Sequence, residues 1–287
     1  MLPSTFVYAQ PQLAPVAYSL AAVLAWGTSD FLGGYATRRA NSFLFTTFVN
    51  IGGLLVMISL AASTHASLPS TRGVIWVLAG GISGGASLAI FYRALSSGRM
   101  GLTAPVAAVL GAAIPTVFSM FTEGWPGPTR IAGFFLAAGG LWLITRAEEG
   151  STPQGVGFAL LAGIGFAGFY LCVRQAGDAS ALWIASITRV GGLLITGAIV
   201  LVQRRLREIT LEGFRLAVLT GCIDSLGTVL FVRASQSGRL DEAVVLSSLY
   251  PAITVLLARL FLKEQFTRWK FVGLVAALAS VPLISAG

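Results

Sequence analysis

Three ionisable side chains, Asp30, Arg189 and Asp224, lie inside otherwise apolar runs of this chain. A charge near the middle of a bilayer costs about 2.5–3.5 kcal/mol on insertion scales, so it persists only when paired or turned toward a wet cavity. The planar fork of Arg189 suits a carboxylate or a phosphate. An aspartate in the same space would take an amine or a coupling proton. The plainer alternative is an internal ion pair, Arg189 with Asp224 or with Asp30, that only fixes packing. Two acids to one base leave one acid without an obvious partner. Asn50 could face the same cavity or make an interhelical hydrogen bond. Trp26, Tyr92, Tyr170 and Tyr250 carry hydrogen-bonding tips on aromatic bodies and could line a substrate cavity; Tyr92 and Tyr170, near helix ends, fit an interfacial belt equally well.

Other chemical signals are weak. Gly80–Gly85 contains GISG, a pattern of intramembrane serine proteases, but such an enzyme needs a base. The single histidine, His65, falls in a loop upstream of that serine. Small residues at this spacing mean close helix packing instead. Cys172 and Cys222 sit apart in apolar runs and suggest neither a disulfide framework nor a metal site. There is no Walker A motif for ATP drive and no carbonyl-filter sequence for a channel. No cofactor is expected.

These residues must be positioned by membrane helices. The chain has 287 residues, 55% hydrophobic and 10% charged, with a mean hydropathy of +0.82. Soluble domains carry about 25% charged residues, and this chain has too few polar groups to cover a water-exposed surface. The net charge of +8 reads as loop arginines at a membrane surface, not as a nucleic-acid footprint, because the basic residues cluster at the ends of apolar runs. Spanning takes about 20 apolar residues. Ten such segments are legible, near 14–36, 43–62, 73–95, 102–122, 129–145, 154–176, 180–202, 213–235, 242–262 and 269–286. Backbone groups in lipid must be satisfied within each segment, so these are helices. Pro105, Pro115 and Pro251 are expected to kink theirs.

The charged linker 146–152 divides the chain near its middle, and the two halves share landmarks. RALSSGRM from Arg93 matches RASQSGRL from Arg233. GGLL at Gly52 matches GGLL at Gly191 and aligns Asn50 with Arg189. A glutamate, Glu123 or Glu264, follows each fourth helix of a half, and Gly133 matches Gly273. The expected fold is an all-α membrane protein of ten transmembrane helices, with residues 1–145 and 153–287 as two five-helix repeats. An odd helix count inverts the second repeat, an arrangement suited to alternating access.

On Ala25-Trp26-Gly27-Thr28-Ser29, Tyr92-Arg93-Ala94-Leu95, Leu249-Tyr250-Pro251-Ala252 and Leu262-Lys263-Glu264-Gln265-Phe266-Thr267, the chain resembles the drug/metabolite transporter superfamily, as a ten-helix protein with two EamA-type domains. The first half departs from the pattern at Glu123–Pro128 and carries Asn50 opposite Arg189. The resemblance implies a carrier of small metabolites, often amino acids or related amphipathic compounds leaving the cell, in the cell (inner) membrane. It favours Trp26 and Tyr250 as cavity residues. The expected partners are a small-molecule substrate, the lipid bilayer and a coupling proton. A membrane-embedded aspartyl hydrolase is the rival class, and it would need Asp30 and Asp224 to share a proton. Orientation is contested. Thirteen basic residues lie in loops facing away from the termini and five on the terminal side. That bias places the termini outside, whereas the resemblance implies cytoplasmic termini.

Overall fold

The computed structural model describes residues 10–64, 66–97, 100–145, 155–204, 210–264 and 267–286. The linker 146–152, the repeat landmarks Gly98 and Arg99, and His65, Arg205, Arg207, Gln265 and Phe266 lie outside the described residues. The described residues form eleven helices: α1 Gln10–Ala36, α2 Ser42–Ser63, α3 Thr71–Ser97, α4 Met100–Thr122, α5 Pro128–Thr145, α6 Val156–Arg174, α7 Ala181–Gln203, α8 Leu211–Ser237, α9 Leu240–Ser247, α10 Tyr250–Leu262 and α11 Arg268–Ala286. Local chemistry sets several boundaries. The Asn41 side chain accepts the Leu44 amide at 3.1 Å and starts α2, and Thr210 does the same for Gly213 ahead of α8. Arg204 and Lys263, both at φ 55°, turn the chain out of α7 and α10.

Seven segments are long and apolar enough to cross a membrane: α2, α3, α4 from Thr103, α6, α7, α8, and α9 with α10 taken together. Among the other helices, α1 carries Asp30 in its apolar run, and α5 and α11 have 18 and 19 residues. Pro105 and Pro115 sit within the continuous helix α4. The helical run is interrupted only ahead of Pro251, where Ser248 and Leu249 separate α9 from α10. Pro251 occupies the first turn of α10, where a missing N–H costs no hydrogen bond.

Packing joins the first half of the chain to the second. The α1 helix lies along α8 and α10, α2 along α7 and α8, α3 along α6 and α7, and α4 along α6 and α9. Small residues make the tightest crossings. On α3, Gly81 and Gly85 meet the backbones of Thr188 and Gly192, and on α2 Gly53 meets Gly221 and Ser225 of α8. Backbone approach of this kind is how helices associate in lipid, where apolar burial gives no drive. Peripheral to these, α5 and α11 pack on each other, with Gly140 against Ala277 and Gly133 against Ile284.

Candidate functional site

A cavity of about 70 Å³ lies among α1, α2, α3, α6, α7, α8 and α10. Seven of the eight candidate residues line it: Trp26, Asp30, Asn50, Tyr170, Arg189, Asp224 and Tyr250. Helical spacing explains part of this grouping. Trp26 and Asp30 are four residues apart and share a face of α1, and Asp224 and Thr228 do the same on α8.

The charged groups are arranged unequally. Arg189 Nη1 lies 2.5 Å from Asp224 Oδ2, and Arg189 Nη2 donates to Thr228 Oγ1 at 2.8 Å. Thr228 in turn donates to the Asp224 carbonyl, at 3.2 Å. Ser29 donates to Asp224 Oδ1 at 3.4 Å and to the Trp26 carbonyl at 3.0 Å. This tie between α7 and α8 leaves only Arg189 Nε buried without a partner. Asp30 is 4% exposed and makes no hydrogen bond or ion pair among the described residues. Asp224 is thus held by Arg189, whereas the second carboxylate of the cavity is not.

Aromatic rings supply the opposite wall. The ring of Trp26 is 6.1 Å from Tyr170 and 5.6 Å from Phe231, and it meets Tyr250 edge-on at 6.5 Å. A Cβ on Gly227 would come within 2.5 Å of the indole, so only glycine admits Trp26 there. Phe166 and Phe169 complete the wall from α6. Asn50 donates to the Thr46 carbonyl at 3.0 Å, which leaves its carbonyl oxygen close to Gly192.

Tyr92 does not line this cavity. Its ring fills the space over Gly33 and meets Phe45 edge-on at 5.9 Å, and its buried hydroxyl has no partner among the described residues. It lies about one turn beyond Leu88, the last residue of α3 to reach the cavity. The α6 residues Phe166, Phe169 and Tyr170 do line it. Their spacing of three and four residues was the available signal, and in Tyr170 it marked a cavity position, not only a belt. Thr228 was legible in the same way, one helical turn after Asp224.

A second polar cluster lies away from the cavity. The Glu123 carboxylate accepts from Arg174 at 3.0 Å, from Ser119 at 3.1 Å and from the Leu240 amide at 3.0 Å. Arg174 also donates to the Ser235 carbonyl. Arg239 donates to the carbonyls of Glu123 and Gly124 at 2.8 and 2.7 Å and pairs with Asp241 at 2.8 Å. Arg174 is thus a structural tie between the two halves. Glu264, the counterpart of Glu123, meets Arg38 alone among the described residues, at 3.5 Å.

Residues 153–286 match the model of the EamA-like transporter family. That match spans the second half of this chain. The chain is accordingly a membrane transporter of the drug/metabolite superfamily and an integral, multi-pass membrane protein. A solved crystal structure superposes with a TM-score of 0.71, covering 94% of this chain and 95% of its own. At 16% identity, that similarity concerns the fold alone. An uncharacterized protein of Methanocaldococcus jannaschii is 29% identical over 103 residues, which are 36% of this chain and 74% of that protein. That relative is therefore about half as long as this chain.

Proposed function

We propose that this protein is a secondary carrier in which two inverted five-helix repeats expose the cavity to each side of the membrane in turn. The substrate is a small amphipathic metabolite, and the direction is export. The observation that carries this reading is that the cavity takes its lining from matching positions of both halves. At the sequence offset of 139–140 residues, Trp26 pairs with Phe166, Asp30 with Tyr170, Asn50 with Arg189, Gly84 with Asp224 and Leu88 with Thr228.

The packing supports the same reading. Exchanging α1 with α6, α2 with α7, α3 with α8, α4 with the α9–α10 pair, and α5 with α11 leaves the set of main helix contacts unchanged. The half-length relative is consistent with a chain assembled from two such units. On a ten-span path the repeats have opposite sense, and a site at their interface suits alternating access. The occupied Asp224 carboxylate favours a carrier over a hydrolase.

The test separates transport from packing. Arg189→Ala strands a buried carboxylate, which costs roughly 3–5 kcal/mol. Removing both charges, as Arg189→Met with Asp224→Leu, avoids that penalty. In proteoliposomes loaded with a labelled metabolite panel, we expect the double variant to recover folded yield but not transport. Recovery of both would show the pair to be only structural and would sink this site.

A further inference from the structure

Resting on the cavity being the transport site, the geometry points to its substrate class: we propose that it takes a singly charged organic cation, an amine with an apolar body, whose ammonium sits against the Asp30 carboxylate.

The charge balance of the lining is the first argument. It holds two carboxylates and one guanidinium, from Asp30, Asp224 and Arg189. Arg189 is committed to Asp224 and Thr228. Asp30 is more than nine-tenths buried, lines the cavity and has no hydrogen bond or ion pair among the described residues. A buried carboxylate without a partner is costly, and a bound cation removes that cost. An anion would face the uncompensated charge of Asp30, and of the Arg189 nitrogens only Nε is left without a partner to receive it.

The second argument is the wall around that charge. Trp26, Phe166, Phe169, Tyr170 and Tyr250 all line the same cavity. Aromatic faces carry partial negative charge and attract ammonium groups. The same rings would bury an apolar body. A hard metal ion is a poor fit, because it requires six or more oxygen ligands. Here Asp224 and Thr228 are already engaged, which leaves Asp30, the Asn50 carbonyl and the Tyr170 and Tyr250 hydroxyls, still short of six.

The test uses three ligands that share one phenyl body and differ in charge: phenethylamine, phenylalanine and hydrocinnamate. Binding to the purified full-length protein is read by competition and thermal stabilisation, with sodium chloride as a fourth arm. We expect phenethylamine to bind at least about tenfold more tightly than the zwitterion or the acid. Asp30→Asn should abolish most of that preference while the protein elutes as the wild type does. Asp30→Glu, which keeps the charge, should retain it and shows that a loss in Asp30→Asn is not misfolding. Tighter binding of phenylalanine, lost in Arg189→Met with Asp224→Leu, overturns the cation assignment and leaves the cavity as the transport site. Equal protection by sodium, or an Asp30→Asn variant that binds the amine normally, also overturns it. Failure of all three organic ligands overturns the assignment together with the site.

Discussion

Glu123 and Glu264 occupy matching places in the two halves, yet their surroundings differ sharply. Glu123 gathers the ends of four elements. Its carboxylate is met by Arg174 from α6 and by the first amide of α9, and Arg239 clasps its carbonyl. Among the described residues the Glu264 carboxylate has one long contact, to Arg38, whose side chain is 36% exposed. On a ten-span path the two glutamates lie at opposite ends of the molecule. The difference teaches that a shared landmark in the sequence does not imply a shared state. In this conformation Glu123 ties the two halves through Arg174, Arg239 and the Leu240 amide, whereas Glu264, among the described residues, does so through Arg38 alone. Under the proposed alternating access, the Glu123 end is the one expected to be closed.

The largest effect should come from the locked end. Glu123→Ala removes three accepted hydrogen bonds, two of them charge-assisted or to a backbone amide. After discounting for partial exposure, we expect a loss of roughly 2–3 kcal/mol. Glu264→Ala should cost less than about 0.5 kcal/mol, as exposed pairs usually do. Apparent melting temperatures of the two variants in one detergent would compare them. Equal shifts would break the distinction between the ends.

Access to the cavity sharpens it further. Thr228→Cys, in a chain whose Cys172 and Cys222 are replaced by alanine, places one thiol on the cavity wall. An impermeant thiol reagent should label it faster from the Glu264 side of oriented vesicles. Adding Glu123→Ala should raise labelling from the other side. Unchanged labelling there would mean that the Glu123 cluster holds the fold without closing an entrance.

The smallest effect is in the pairwise couplings. A double-mutant cycle between Glu123 and Arg174 should give about 0.5–1 kcal/mol, and one between Arg38 and Glu264 close to nothing. Raising the salt to about 1 M, where the Debye length is near 3 Å, should erase the second and spare part of the first. A larger coupling at Arg38 than at Arg174 would reverse the comparison.

Much of this was legible in the sequence because lipid restricts the alternatives. An apolar run long enough to cross a bilayer has to be a helix, since no water satisfies its backbone. That single constraint located the helices to within a few residues of those seen, including the boundaries near Ala36, Thr122 and Leu262. Burial cost likewise singled out Asp30, Arg189 and Asp224, and the GGLL match aligned Asn50 with Arg189. Tertiary structure decided what spacing leaves open. Which carboxylate Arg189 takes depends on how α7 and α8 cross, and that crossing is set by side-chain contacts between distant segments. Tyr92 follows the cavity stripe of α3 by one turn but is captured by Gly33 of α1, a contact no local pattern encodes. Glu123 and Glu264 are interchangeable as letters. Only the arrangement of four helix ends around one of them, and not the other, made them different.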